Sequence, residues 1–290
     1  MNINGYTRLA AVVANPIKHS NSPFIHNMAF EMTEVNGVYL AFEIENNNLA
    51  QIIENIKIMD MYGVNLSMPF KKEAVKYVDE LTPVAELIGA INTIVLKDDG
   101  SLLGHSTDGS GFFNSLENYH VEGQTISILG GGGAALAIIA EACIQKANKV
   151  FVFNRMSANY PILQEKLNKI SKASGVEILL QDLADEEKIQ DSVNESSLLI
   201  NATSIGMKDK SIPINPSLRL PEGIVVADII YQPAETEFLK WAKSQNVRTI
   251  NGLGMLVYQA AESFELWTGK KMPAQIIKEA LERKIYETRS

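Results

Sequence analysis

The plainest chemical signature in this chain is a run of four glycines, Gly130–Gly133. The glycines follow a short apolar run, Thr125–Leu129, and precede a second one. A buried strand that turns through glycines into a helix can bind the pyrophosphate of a dinucleotide, because the backbone approaches the phosphates closely and the helix N-terminus offers free N–H groups. The pattern G-x-G-x-x-A is complete from the first glycine to Ala135, and the apolar segment Lys149–Phe153 follows at βαβ spacing. We predict a nucleotide-binding turn here. A glycine-rich surface turn is the alternative.

The composition limits the classes of protein to which the chain can belong. Its 290 residues suit two domains better than one core. A hydrophobic fraction of 46% is typical of a globular protein, and a formal net charge of −8 argues against a nucleic-acid partner. The single cysteine, Cys143, cannot form an internal disulfide, and neither a membrane-length apolar run nor a signal-peptide pattern is seen. We expect a cytoplasmic protein without a membrane or nucleic-acid partner.

The first part of the chain alternates strand and helix patterns. The predicted strands are Leu9–Ala14, Val38–Ile44, Gly63–Ser67, Gly89–Val95 and a strand that returns after the hairpin signal Asp98–Gly100 and ends at Gly104–Gly109. The predicted helices are Pro23–Glu34 with Ser22 as its N-cap, Leu49–Met59, a short helix that opens at Met68–Lys71 and is broken at Leu81–Pro83, and one capped by Thr107 or Asp108. This order predicts an α/β unit whose strands end at one common edge.

The second part continues the alternation and predicts a doubly wound sheet. After the glycine unit come a helix at Pro161–Lys172, strands at Val176–Leu180, Leu198–Asn201 and Ile224–Ile230, a helix at Glu235–Ser244 and a strand at Val247–Ile250. Two last helices, Met255–Trp267 and Pro273–Tyr286, each carry apolar residues at helical spacing. We expect these two helices to return to the first domain.

Seven segments, taken together and in order, resemble the shikimate dehydrogenase family over essentially the whole chain. They are NPIKHSNSP (15–23), NLSMPFK (65–71), GAINT (89–93), STDG (106–109), GGGGAA (130–135), NR (154–155) and NGLGMLVYQ (251–259). SMP (67–69) and YVDELTP (77–83) look more like the quinate/shikimate branch of that family. The resemblance implies a substrate domain of residues 1–107 and 253–290 and a Rossmann-type nucleotide-binding domain of residues 108–252. It further implies NADP-linked hydride transfer between shikimate and 3-dehydroshikimate, a step of aromatic amino-acid biosynthesis.

The resemblance also assigns residues to roles. Lys71 and Asp108 would be the catalytic pair, and Ser20 and Ser22 would bind the substrate carboxylate, which suits two hydroxyl donors beside a helix N-terminus. The residues that would hydrogen-bond the ring hydroxyls are Ser67, Asn92, Tyr231 and Gln259. The residues that would bind the cofactor are Gly130, Gly131, Gly132, Gly133, Ala134, Asn154, Arg155, Ile229 and Gly252.

A lysine beside a carboxylate suits the chemistry of this reaction. Oxidising an alcohol needs a group that takes the hydroxyl proton while hydride leaves the carbon, and the reverse reaction needs a cation beside the developing oxyanion. A nearby carboxylate holds the lysine in place and shares the proton. Taken singly, Lys71 could be a solvated lysine and Asp108 a helix cap.

Some positions depart from the pattern of the biosynthetic enzymes. Ser67 stands where Thr is usual and Ser106 where Asn is usual, which enlarges or loosens the pocket and could admit quinate. Asn154 and Arg155 stand where a carboxylate would grip the ribose of NAD, which favours NADP. NAD stays possible, because nothing basic appears between Arg155 and Lys166.

Alternative readings of the chain differ in what they require. The four histidines have no partners at metal-ligand spacing, so we expect no metal, and a structural role for His105. A non-catalytic NADP-binding regulatory module would need the glycine turn but not Lys71 and Asp108. Another two-domain Rossmann enzyme, such as a methylenetetrahydrofolate dehydrogenase, would not require the serine loop or the GLGMLVYQ helix. Either a monomer or a homodimer fits the sequence.

Overall fold

The structure, a computed structural model, describes residues 3–287 of the chain. Its contacts divide the chain into two units, one that runs up to Gly111 and resumes at Leu256, and one that comprises Phe112–Met255. Each unit is built on a six-stranded sheet. The predicted domain changes lie after residues 107 and 252, whereas these units change after residues 111 and 255.

The strands and helices of the described residues alternate along both units. The strands are β1 (Arg8–Ala14), β2 (Gly37–Glu43), β3 (Gly63–Leu66), β4 (Glu80–Leu81), β5 (Thr93–Leu96), β6 (Leu102–His105), β7 (Thr125–Leu129), β8 (Lys149–Asn154), β9 (Glu177–Asp182), β10 (Leu198–Asn201), β11 (Val225–Asp228) and β12 (Arg248–Ile250). The α-helices are α1 (Ser22–Met32), α2 (Leu49–Ile58), α3 (Pro83–Ile88), α4 (Asp108–Asn114), α5 (Gly133–Ile144), α6 (Tyr160–Ser174), α7 (Glu186–Asn194), α8 (Glu237–Lys243), α9 (Leu253–Thr268) and α10 (Ala274–Glu282). The predicted α/β class is confirmed.

The sheet of the first unit is mixed, with strand order β2-β1-β3-β5-β6-β4. Strands β1, β2 and β3 are parallel, whereas β5 is antiparallel to both β3 and β6. The C-terminal ends of β1, β3 and β6 therefore share one edge of the sheet with the N-terminal end of β5. The loops at this edge begin with the segments that carry the serine, lysine and aspartate motifs.

Two predictions about the first unit are wrong, and one helix was missed. No helix opens at Met68: the chain makes a turn in which the Phe70 N–H donates to the Ser67 carbonyl at 2.9 Å, and a 3₁₀ helix starts only at Glu73. Pro83 was taken only as a helix breaker, but it begins α3. Proline has no N–H to lose at a helix start, so it is favoured there. The N-cap of α1 is Asn21 and not Ser22, which is itself the first helical residue.

The last two helices belong to the first unit, as expected. The indole N–H of Trp267 on α9 donates to the carbonyl of Ile94 on β5 at 3.0 Å. Gly63 makes room for this contact, because a Cβ built at that position would lie 1.9 Å from the same carbonyl oxygen and 2.5 Å from the indole nitrogen. Close backbone approach therefore requires glycine at this point of β3.

The second unit has a fully parallel sheet with strand order β12-β11-β10-β7-β8-β9. The order reverses between β7 and β10, and this kind of switch point is where open α/β sheets bind ligands. The helix α7 was missed in the sequence, because few of its residues are apolar. Its start is nevertheless marked by Asp185, whose carboxylate accepts from the Lys188 N–H at 3.1 Å. Within residues 3–287, no helix is both long and apolar enough to cross a membrane.

A buried histidine in the first unit makes the stability of the fold sensitive to pH. His26 is 0% exposed, its ring stacks on that of Tyr39 with centroids 4.1 Å apart, and neither ring nitrogen has a hydrogen-bond partner among the described residues. Burial disfavours the charged form, so it lowers the pKa of His26 from 6.5 to about 3. The unfolded chain therefore binds a proton at this residue between these pKa values and the folded chain does not.

We expect acid to destabilise the wild type more than a His26→Phe variant. Above pH 6.5 His26 is neutral in both the folded and the unfolded chain, so it costs the fold no stability. As the pH falls from 6.5 toward 3, only the unfolded chain gains the proton, and at pH 5 this lowers the unfolding free energy of the wild type by about 2 kcal/mol. Denaturant unfolding of both proteins at pH 7.5 and pH 5 measures it, with the exposed His120→Phe as the control. Parallel pH curves for wild type and His26→Phe would contradict this expectation.

Candidate active site

A lysine and an aspartate form a close pair at the common edge of the first sheet. Lys71 lies in the turn after β3 and Asp108 is the first residue of α4, and Lys71 Nζ donates to Asp108 Oδ2 at 2.5 Å. Their side chains keep 29% and 13% of their exposure, so water and a small ligand can still reach the lysine. A lysine cation and a carboxylate in contact form a unit that can hold and transfer one proton.

Asn92 holds the aspartate in this orientation. Its side-chain amide donates to Asp108 Oδ1 at 2.9 Å and to Thr107 Oγ1 at 3.0 Å, and its Oδ1 accepts from the Thr107 N–H at 2.9 Å. Asn92 is 3% exposed. Both amide hydrogens are thus used within the protein, so in this structure Asn92 orients Asp108. A hydrogen bond from Asn92 to a substrate hydroxyl stays a prediction.

Main-chain hydrogen bonds join the three segments that carry these side chains. The Ile91 N–H donates to the Lys71 carbonyl at 2.9 Å, and the Asn92 N–H donates to the carbonyl of His105 at 3.0 Å. The turn after β3, the start of β5 and the end of β6 are therefore held edge to edge. These bonds at the sheet edge fix the turn that carries Lys71 and the end of β6 that leads to Asp108.

A chain of buried hydrogen bonds, which sequence reasoning missed, extends from the pair into the core. The amide of Asn65 donates to Thr93 Oγ1 at 3.0 Å, and the Thr93 hydroxyl donates to Asn92 Oδ1 at 3.1 Å. Asn65 also donates to Ser263 Oγ on α9 at 3.0 Å and accepts from the Tyr39 hydroxyl at 2.7 Å. The sequence did contain a signal for this network, because Asn65 interrupts the apolar strand GVNL, and a buried side-chain amide needs hydrogen-bond partners.

The predicted serines lie in two neighbouring loops. The Asn15 N–H donates to the Met68 carbonyl at 3.1 Å, which joins the loop after β1 to the loop after β3. Ser20 Oγ accepts from the Ser22 N–H at 3.2 Å, and Ser22 is buried at the start of α1. Ser67 follows β3 directly and is half-buried. Ser106 is buried two residues before Asp108.

The other two residues predicted to bind substrate lie in different units. Gln259 is on α9 in the first unit, where its side-chain amide donates to the Leu256 carbonyl at 2.8 Å. Tyr231 is in the second unit, three residues after the end of β11. Their contacts with a substrate stay predictions.

The glycine run of the second unit has the geometry of a nucleotide-binding turn. Gly130 has φ +108°, a conformation that favours glycine, and a Cβ at Gly131 would lie 2.2 Å from Leu163 Cδ2, so a larger residue there would displace the Leu163 side chain. Gly132 and Gly133 are exposed, and a Cβ at either would meet no atom within 4 Å. Together with Ala134 they open α5, a helix of 12 residues whose first N–H groups can bind phosphate.

The residues predicted to complete the nucleotide site lie at or just after the C-terminal ends of three strands of the second sheet, β8, β11 and β12. Asn154 ends β8, and Arg155 follows it with an exposed side chain that makes no ion pair within residues 3–287. Ile229 and Gly252 are in contact, because a Cβ at Gly252 would lie 1.9 Å from the Ile229 carbonyl oxygen. The free guanidinium of Arg155 could pair with a phosphate.

A second buried polar cluster at this edge was also missed in the sequence. Asp228, which ends β11, accepts from the Ile230 N–H at 3.0 Å, from the Asn201 amide at 3.1 Å and from the Thr236 hydroxyl at 2.8 Å. Burial raises the pKa of Asp228, and these hydrogen bonds oppose the rise. The cluster fixes the backbone from which Ile229 extends. Among the described residues, no group of three or more His, Cys, Asp or Glu side chains could hold a metal ion.

Comparison with known proteins identifies the family. Residues 12–94 match the shikimate dehydrogenase substrate binding domain, and residues 252–282 match the shikimate 5′-dehydrogenase C-terminal domain. The shikimate dehydrogenase (NADP(+)) of Lactococcus lactis subsp. cremoris strain MG1363 is 56% identical over 287 residues, which cover 98% of this chain and 100% of the relative. The chain belongs to the shikimate dehydrogenase family.

Solved structures of shikimate dehydrogenases have the same fold. The shikimate 5-dehydrogenase of Listeria monocytogenes, in complex with shikimate and NAD, matches with a TM-score of 0.93 and 38% identity over 97% of this chain and 98% of that one. The enzyme of Thermus thermophilus, in complex with NADP(H) and shikimate, matches with a TM-score of 0.81 and 30% identity over 96% and 100%. The family predicted from the seven segments is confirmed.

The exposed Arg155 generates a prediction about cofactor choice. We expect Arg155→Ala to raise the Kd for NADP by about tenfold or more and to change the Kd for NAD little, because only NADP offers a 2′-phosphate for the guanidinium. Titration of each cofactor against wild type and variant measures this, with the exposed Arg219→Ala of the same unit as the control. Equal losses for both cofactors would mean that Arg155 does not recognise the phosphate.

Proposed function

We propose that this chain catalyses the reversible, NADP-linked oxidation of shikimate to 3-dehydroshikimate, with Lys71 and Asp108 as its catalytic pair. The observation that carries the proposal is the 2.5 Å contact between Lys71 Nζ and Asp108 Oδ2, made at a sheet edge and held by Asn92. A non-catalytic nucleotide-binding module has no need of such a pair. The close relationship to NADP-dependent shikimate dehydrogenases supports the same reaction.

Lys71 and Asp108 transfer the proton of the reacting hydroxyl. In oxidation the C3 hydroxyl of shikimate gives its proton to the Lys71–Asp108 pair while hydride leaves C3. In reduction the Lys71 ammonium returns a proton to the oxygen and stabilises its developing negative charge. Asp108 keeps the lysine in place through both directions. Because Asn92 and Lys71 each bind one oxygen of Asp108, its carboxylate cannot rotate away without breaking a hydrogen bond.

The serine loop and Gln259 bind and orient the substrate. Ser20 and Ser22 offer hydroxyl groups at the start of α1, a helix of 11 residues, and this suits the substrate carboxylate. Ser67, Gln259 and Tyr231 present polar groups for the ring hydroxyls. Such donors discriminate strongly, because an analogue that leaves them unpaired binds poorly.

The open glycine turn and Arg155 fit NADP. The backbone N–H groups at Gly132 and Gly133 bind the pyrophosphate, and Arg155 binds the 2′-phosphate. Asn154, Ile229 and Gly252 complete the cofactor contacts. When bound, NADP⁺ accepts the hydride that leaves shikimate. We also infer a cytoplasmic protein, since its only cysteine, Cys143, is buried with its pKa raised by burial to about 11 and is unsuited to forming a disulfide. A monomer and a homodimer are both compatible with the proposed function.

Removal of the Lys71 amine tests the proposed function. We expect purified wild type to increase absorbance at 340 nm when given shikimate and NADP, and Lys71→Ala to lower kcat by about 10²–10⁴ with little change in substrate affinity. The neighbouring exposed Lys72→Ala is the matched control and should keep wild-type turnover. A Lys71→Ala variant that keeps more than about a third of wild-type kcat would remove Lys71 from the mechanism.

The two serines that depart from the biosynthetic pattern generate a prediction about substrate preference. We expect Ser67→Thr and Ser106→Asn, singly or together, to shift the ratio of kcat/KM toward shikimate over quinate by about tenfold or more, because a bulkier side chain leaves less room for the extra hydroxyl of quinate. The shikimate value itself should change little and is the internal control. An unchanged ratio, or a wild type without quinate activity, would show that these serines do not set the preference.

A further inference from the structure

A glutamate on α9 binds the segment that carries the catalytic aspartate. Glu262 keeps 28% of its side-chain exposure. Its Oε1 accepts from His105 Nε2 at 2.8 Å, and its Oε2 accepts from the hydroxyl of Ser110. The function proposed above uses none of these three residues. Each of them nevertheless belongs to the same unit as Lys71 and Asp108.

The hydrogen-bond partners of His105 define how it connects β6 to α9. A carboxylate can only accept, so Nε2 of His105 carries the hydrogen that Glu262 receives. In the neutral ring Nδ1 then accepts, and the hydroxyl of Thr82 lies 2.8 Å away to donate to it. Both ring nitrogens are thus satisfied, and the ring has a fixed orientation between Thr82 and Glu262.

The two partners of Glu262 lie on either side of Asp108 in the chain. His105 is three residues before it, and its carbonyl accepts from the Asn92 N–H at 3.0 Å. Ser110 is two residues after it, in the first turn of α4. One carboxylate therefore holds both ends of the short segment from which Asp108 extends.

The position of α9 does not depend on Glu262 alone. Ser263 Oγ lies 2.8 Å from Thr93 Oγ1 and accepts from Asn65, as described above. Gly111 on α4 allows α4 and α9 to approach closely, because a Cβ at Gly111 would lie 2.5 Å from the backbone nitrogen of Gln259 on α9. Loss of Glu262 should therefore release the Asp108 segment and leave α9 with its Gln259 in place.

We propose that Glu262 is a positioning residue that fixes the Asp108 carboxylate on Lys71 through His105 and Ser110. This inference rests on the proposed function of Lys71 and Asp108. It predicts that Glu262 acts on the chemical step and not on ligand binding, because within residues 3–287 the hydrogen bonds of its side chain go to His105 and Ser110 and not to the serine loop or Gln259.

Three variants test the proposal. Glu262→Ala should lower kcat for shikimate oxidation by about 10–100-fold, the scale of a small misplacement of a catalytic group, and change the KM for shikimate and NADP less than about threefold. Glu262→Gln should recover most of the loss. Its oxygen can accept from His105, and its amide can donate to Ser110, whose own hydroxyl can turn to the Thr107 carbonyl 3.3 Å away. Glu265→Ala, an exposed residue one turn further along α9, is the control and should match wild type.

Three measurements distinguish a loss of positioning from a loss of stability and from a failure of the proposed function. The deuterium isotope effect on kcat, measured with shikimate deuterated at C3, should rise in Glu262→Ala, and thermal unfolding should show a folded protein. If Glu262→Ala does not fold, Ser110→Ala removes one of the two contacts and should lower kcat several-fold. A Glu262→Ala enzyme that matches Glu265→Ala, or that loses kcat without recovery in Glu262→Gln, overturns the positioning role. A wild type without shikimate activity overturns the proposed function instead.

Discussion

The hydrogen bond from the Asn92 amide to Asp108 is the interaction on which the active site of the first unit depends. Asn92 stands where β5 begins, and its main chain and side chain together reach the end of β6 and the first residue of α4. Lys71 joins the same arrangement through its carbonyl, which accepts from Ile91. A free aspartate beside a lysine would sample several orientations. The buried amide restricts it to one, in which one oxygen binds the lysine and the other the asparagine.

The polar groups behind Asn92 explain why this arrangement can be rigid. From Asn65 through Thr93 to Asn92 and Asp108, each group donates to the next, and the chain ends at an oxygen of the carboxylate. Inside a protein such bonds are stronger than in water and polarise one another, whereas an unpaired member would be costly to bury. Loss of one group leaves its neighbours unsatisfied. The network is therefore conformationally specific as well as stabilising.

The second unit prepares its candidate site by different means. Its predicted ligand contacts come mainly from the backbone of the glycine run. Gly130 has a positive φ that would strain other residues, and the backbone at Gly132 and Gly133 has no neighbouring atoms that would block a ligand. Asp228 and Asn201 carry no predicted contact with ligand, but they fix the strand ends from which such contacts extend. In both units, side chains buried just behind the sheet edge determine the geometry of the residues at its surface.

The sequence by itself determined the alternation of strands and helices, the family and the residue types of the candidate site, because these depend on local patterns of a few residues. It identified Lys71 and Asp108 only through motifs, and it misjudged the segment from Met68 and the helix at Pro83, where a proline fits either a turn or a helix start. Only the tertiary structure decided what Asn65, Glu262 and Ser263 contact. Their partners lie up to 198 residues away in the chain, and no local pattern encodes such a distance.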